Sequence, residues 1–188
     1  MKSVLLSIQP KWCELIASGE KTVEIRKTKP KMIPPFKCYI YETKGKTDTP
    51  FMDEDGHIDF HGRGQVIGEF ICDDIKWNGN SVYVIRDECI KALEGSCLTE
   101  EEFHNYMGYP PVNPYQDLKE AIKKCEFYGW HISNLVIYDK PKELREFKKP
   151  CNETNLCYPD NCNRCGWNIL LRPPQSWCYV EEAHISEE

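Results

Sequence analysis

The chain has 188 residues and a mass of 22.0 kDa, 40% hydrophobic and 12% aromatic, so it can bury an ordinary core and fits one globular domain with additions. A net charge of −6 excludes a protein that coats nucleic acid indiscriminately. No apolar run approaches the roughly 18 residues of a membrane-spanning helix, and Met1–Ile8 is too short for a signal-peptide core, so a cytoplasmic location is expected.

Ser3–Ile8 reads as a short buried strand, and Pro10 opens a helix whose Trp12, Leu15 and Ile16 share a face and which Gly19 ends. Lys21–Lys27 alternates, with Val23 and Ile25 pointing one way and Thr22, Glu24 and Arg26 the other. Pro34 and Pro35 break the chain before a strand at Cys38–Glu42, and Lys44–Gly64 reads as a long exposed loop. Gln65–Ile75 is a further strand, and Ser81–Ile85 a short one. Thr99 with Glu102 forms a capping box for a helix that Gly108 stops, and Asn113 and Pro114 start another. Trp130–Tyr138 is a β-rich run closed by Pro141, and a last strand lies around Trp177–Val180. Strands with helices inserted between them predict an α+β or β-barrel domain, not a doubly wound sheet.

Charge is uneven along the chain. Residues 1–46 hold ten Lys/Arg against four Asp/Glu, and residues 47–104 hold four against fourteen. This pattern suggests a localised anion-binding face; the alternative is that Lys27, Lys29, Lys31, Lys44 and Lys46 are solvated loop charges. Within the basic quarter, Gly19 ends a helix in a conformation that a Cβ disfavours, and Lys21 stands at the turn into a strand, where its ammonium can swing over a cleft. Glu24 and Arg26, two apart on one strand face, set an acceptor beside a five-donor cation. Such a set can hold a phosphate or carboxylate through Arg26 and Lys21 while Glu24 reads a base edge or moves a proton. The bland alternative is an ordinary surface ion pair.

Gly19-Glu20-Lys21-Thr22-Val23-Glu24-Ile25-Arg26 fits the pattern Gly-x-Lys-x-x-Glu-x-Arg, and Leu6-Ser7-Ile8-Gln9-Pro10-Lys11-Trp12 stands upstream of it. Val66-Ile67-Gly68-Glu69-Phe70 and Ile132-Ser133-Asn134-Leu135-Val136-Ile137-Tyr138-Asp139-Lys140-Pro141 follow in order. With these segments the chain resembles a bacterial or phage-type member of the ASCH domain family over residues 3–147. The resemblance implies a PUA-like (ASCH) β-barrel with inserted helices over residues 1–150. It also implies a Cys-rich insert at 151–168, then a closing strand of the same domain and a C-terminal tail at 169–188.

The resemblance further implies a cleft beside the motif that binds RNA or a (modified) nucleoside or nucleotide. Its expected lining is Ser7, Lys11, Trp12, Gly19, Lys21, Glu24, Arg26, Glu69 and His131. Trp130, Ser133 and Gln175-Ser176-Trp177 are further candidates for the rim. Some family members are enzymes, and a hydrolase acting on RNA or a modified nucleoside is the alternative, with Lys21 and Glu24 as its catalytic pair. One branch deacylates an acetylated cytidine with a lysine, a threonine and a glutamate; here Glu24 occupies the threonine position, so that activity is not carried over.

Eleven cysteines without a secretion signal point to buried thiols and metal ligands before disulfides. Cys151, Cys157, Cys162 and Cys165 lie close together, and Cys162-Asn163-Arg164-Cys165-Gly166 has the look of a zinc knuckle. Structural zinc, unpaired loop thiols and a disulfide all remain open for this cluster. Cys13, Cys38, Cys72, Cys89, Cys97, Cys125 and Cys178 read as core. A third function is a protein-interaction or regulatory module in which the Cys-rich insert docks a partner.

Overall fold

The computed structural model describes residues 2–44, 62–78, 93–107, 127–150 and 169–182. Its elements are β1 (Ser3–Ile8), α1 (Pro10–Ala17), β2 (Val23–Arg26), β3 (Phe36–Glu42), β4 (Val66–Asn78), α2 (Glu100–Met107), β5 (Phe127–Lys142), a 3-10 turn (Leu144–Glu146), β6 (Phe147–Lys148) and β7 (Trp177–Glu182). They fall into two compact units: Met1–Glu14, Lys37–Phe70 and Leu135–Glu188 form the first, and Leu15–Phe36 and Ile71–Asn134 the second.

The first unit is built on β1. Its six residues are buried on both faces, as suits an unbroken apolar run in mid-sheet. It pairs in parallel with β3 (Leu5 beside Tyr39) and antiparallel with β7 (Leu5 beside Cys178). β6 adds to the far side of β7, with Phe147 beside Glu182. One face of this unit closes over Leu5, Tyr39, Tyr41, Val66, Phe147, Leu170 and Val180. Phe147 is fully buried with its ring 4.8 Å from that of Tyr39, and a fully buried side chain of its size contributes about 1.5–3 kcal/mol.

In the second unit, β2 pairs antiparallel with the first part of β5, setting Glu24 beside Trp130 and Arg26 beside Tyr128. α2 lays Phe103 and Met107, one helical turn apart, on Ile25 and Phe127, with Phe103 and Phe127 edge to face at 4.8 Å. The expected capping box is present. The Glu102 N–H donates to Thr99 Oγ1 at 3.2 Å, and the Thr99 N–H donates to Glu102 Oε2 at 3.0 Å. Gly19 follows α1 at φ +83°, the left-handed conformation anticipated for its stop.

The hydrogen-bonded strand order is β2-β5-β4-β3-β1-β7-β6. These pairings form an open row among the described residues, and the class is α+β. Three expectations shift. β4 extends beyond Ile75, and β5 passes through Pro141 to Lys142, because a proline next to a strand's end interrupts little of the ladder. Cys97 is exposed at φ +58° just beyond Gly95 at φ +77°, so it belongs to a surface turn, while Cys13, Cys38 and Cys72 are buried as expected. The readings at 81–85, 113–125 and 151–168, together with Cys89, lie outside the described residues.

Replacing Thr99 by Ala removes the cap's acceptor while leaving Phe103 in place. Urea unfolding is expected to show a loss of about 1 kcal/mol for Thr99→Ala, and a much smaller one for Thr99→Ser. Equal losses for the two would mean that the hydroxyl is not the acceptor α2 depends on.

Candidate functional site

The motif's three charged side chains converge in the second unit, and they do so out of solvent. Lys21, Glu24 and Arg26 are 2%, 7% and 6% exposed. Glu24 joins the other two: its Oε2 lies 3.3 Å from Lys21 Nζ and its Oε1 lies 3.0 Å from Arg26 Nη2. Lys21 Nζ also donates to the backbone oxygen of Ser96 at 2.5 Å. The lysine was expected to swing over an open cleft; instead the segment around Gly95 shuts it in. The Gly95 carbonyl accepts from the N–H groups of Thr22 and Val23 at 2.8 and 2.9 Å, docking that turn on the start of β2. The bland reading as a surface ion pair therefore fails. This is a buried triad in which one carboxylate joins two cations.

A tyrosine absent from the expected lining lies near the cluster: Lys27 Nζ, next to Arg26 in the chain, is 5.2 Å from the centroid of the Tyr106 ring. Burial pushes the Tyr106 hydroxyl above its ordinary pKa, Arg26 and the Lys27 N–H oppose the rise, and Glu24 adds to it. Its ring remains 38% exposed. The sequence carried a signal for Tyr106: it stands three residues after Phe103, on the side of α2 adjoining the buried face. Ser96 had none, since its contribution is a main-chain oxygen.

The remaining candidates have roles of their own. Within the second unit, His131 Nδ1 lies 2.6 Å from Asp73 Oδ1, and Ser133 Oγ donates to the Ile71 carbonyl at 2.9 Å. The hydrogen bond with His131 holds the Asp73 carboxyl below its ordinary pKa. Trp130 is fully buried, edge to face with Phe36, and so belongs to core.

In the first unit, Ser7 Oγ donates to the Pro174 carbonyl at 2.6 Å and its N–H donates to Ser176 O at 3.0 Å, tying β1 to the segment before β7. Lys11 Nζ lies 4.6 Å from the half-buried Trp12 ring, and Trp177 meets Tyr179 edge to face at 5.5 Å. Glu69 anchors a charge network on four strands. It accepts from Lys37 at 2.8 Å and from the Tyr138 hydroxyl at 2.6 Å, while Glu182 accepts from Lys142 at 2.6 Å and from Tyr39 at 3.1 Å. Burial pushes the Glu69 carboxyl upward, but Lys37, Tyr138 and Lys142 outweigh it and hold the group below its ordinary value. The Lys142 hydrogen bond does the same for Glu182.

Cys151, Cys157, Cys162 and Cys165 lie outside the described residues. Among the described residues, no cluster of His, Cys, Asp and Glu is arranged to hold a metal ion, and no helix is long and apolar enough to cross a membrane.

A family model described as ASCH domain matches residues 6–149, well over half of the chain. The chain belongs to the ASCH domain family. The family is linked to RNA binding. Crystal structures of an ASCH protein from Zymomonas mobilis are similar to this one. A serine-to-alanine variant has a TM-score of 0.55 and 15% identity, covering 95% of this chain and 88% of that one. The unsubstituted protein has a TM-score of 0.47 and 17% identity, covering 76% and 73%. At 15% identity, the likeness to the serine-to-alanine variant concerns the fold. No match is found among the curated proteins.

Two outcomes follow for this ASCH domain. Glu24→Gln removes the carboxylate that both buried cations share and is expected to cost about 3–5 kcal/mol in urea unfolding, more than Lys21→Met, which leaves the Glu24–Arg26 pair intact. The reverse order would mean that Glu24 does not hold the triad together. As for pH, Glu69 and Glu182 are held below 4.5 in the folded chain, so the unfolded chain binds protons first as pH falls. Their stabilisation is complete above about 4.5 and disappears as pH drops through the lower folded-state values. Acid titration of the melting temperature is expected to flatten in Lys142→Met, and an unchanged profile would remove the network from acid sensitivity.

Proposed function

We propose that this ASCH domain binds RNA or a (modified) nucleoside or nucleotide through the site around Lys21, Glu24 and Arg26. One observation carries the reading: an ammonium and a guanidinium meet on one carboxylate at less than a tenth of full exposure, which gathers the groups of an anion site in one place. Charge-assisted hydrogen bonds from such groups to a phosphate are strong in dry surroundings. A guanidinium is the side chain best shaped for that contact, because its planar fork matches the oxygens of a phosphate. Glu24 aligns the fork, and the half-exposed ring of Tyr106 adds a surface on which a base can stack. With this reading goes the PUA-like barrel that the family resemblance implies, the strand row supplying its wall.

The test is a thermal-shift screen against nucleosides, nucleotides and short RNA and DNA oligomers. Wild-type protein is expected to melt at a higher temperature with at least one of them. Arg26→Ala is expected to lose that rise, and Arg26→Lys, which keeps the charge without the fork, to retain part of it. Folded wild-type protein that responds to none of these compounds overturns the proposal.

A second reading, a hydrolase acting on the bound RNA or modified nucleoside, is favoured by the pair His131–Asp73. With Nδ1 engaged by the carboxylate, the imidazole presents Nε2 as a proton acceptor. In that case His131→Gln abolishes turnover, while the binding measured above survives in it.

A further inference from the structure

Beyond the triad, the exit of β2 holds charges that a single bound nucleotide leaves unused. Residues 26–31 read Arg-Lys-Thr-Lys-Pro-Lys, four cations with no acidic residue among them, in a chain whose net charge is −6. Lys27, Lys29 and Lys31 are all exposed. Two of them bend over tyrosine rings. Lys27 Nζ lies 5.2 Å from the centroid of Tyr106 and donates to the Met107 carbonyl at 3.3 Å. Lys29 Nζ lies 5.5 Å from the centroid of Tyr128. Both rings also adjoin the triad. Tyr128 stands opposite Arg26 in the β2–β5 register, and the Tyr106 hydroxyl interacts with Arg26 and Glu24. Cation–tyrosine pairs therefore start at Arg26 and lead away from it.

We infer that Lys27 and Lys29, with Tyr106 and Tyr128, form a track for a single-stranded nucleic acid whose phosphate occupies the Arg26 site. The inference rests on the proposed function and narrows it from nucleosides in general to a polymer. The chemistry selects the polymer because repeated cations find repeated anions only along a backbone, whereas a mononucleotide ends at the triad. It selects a single strand because a ring can receive a base only when that base is unstacked from its neighbours, which a duplex prevents. Each lysine takes a phosphate while its tyrosine offers a face to a base, a combination that tolerates any sequence. The acidic remainder of the chain confines such binding to this stretch.

The experiment measures fluorescence anisotropy with labelled oligouridylate and oligodeoxythymidylate of roughly 4 and 8 nucleotides, beside thermal shift with a single uridine nucleotide. Wild-type affinity is expected to rise with length. The double variant Lys27→Ala/Lys29→Ala, changed only at exposed positions, is expected to lose that gain while its response to the single nucleotide stays intact. Its salt slope is expected to fall by roughly 0.7 for each lysine removed. Tyr128→Leu is expected to weaken oligomer binding about tenfold and Tyr128→Phe to preserve it. Binding of either oligomer through the lysines supports the track. A single nucleotide that binds as tightly as the octamer, a duplex that binds as tightly as the single strand, or an unchanged double variant overturns the track and leaves the triad's proposed function standing. Failure of every length and of the single nucleotide removes both.

Discussion

The docking of two carbonyl groups on the start of β2 is the constraint on which the second unit depends. Gly95 O accepts from Thr22 and Val23, and Ser96 O accepts from the Lys21 ammonium. On the other side of the strand, Thr22 O accepts from Ile132 at 2.9 Å. A buried backbone group without a partner costs free energy comparable to a lost hydrogen bond, so these contacts hold a short strand in register where four residues of ladder give little by themselves. They also remove Lys21 from water. Once Lys21 is dry, Glu24 must stay near it, and Arg26 completes the set.

Two charge clusters among the described residues differ in their exposure. In the first unit, two lysines meet two glutamates, and the hydroxyls of Tyr39 and Tyr138 donate to those same carboxylates. That network is balanced and partly solvated, and nothing about it calls for a ligand. In the second unit one carboxylate joins two cations at much lower exposure. Contacts between charged groups strengthen as the surroundings become drier.

Much of the fold could be read directly from residue patterns, wherever a local rule decided the outcome. The apolar run Ser3–Ile8, the proline opening α1, Gly19 at its end and the Thr99–Glu102 box all act within a few residues of themselves. Where local rules compete with packing, the reading shifted. Pro141 did not stop β5, because the neighbouring strand's pairing outlasts one missing donor, and Cys97 left the core because its backbone follows Gly95 into a left-handed turn. Of the site, the charged trio was legible as spacing on one strand face. Tyr106 and the Ser96 carbonyl were not singled out, since each reaches the trio across about 75 or more residues of chain.

The sequence by itself determined which chemistry the motif can supply: an ammonium, a carboxylate and a guanidinium, spaced to share one face of a strand. It also determined the α+β class and the order of the elements, because alternation, caps and turn residues are local properties. Only the tertiary structure decided that the trio is buried and that Lys21 is held beneath a carbonyl. The same holds for the tyrosines that stand beside the basic exit of β2. Burial depends on what other parts of the chain bring to the strand, and alternation along β2 carries no information about that.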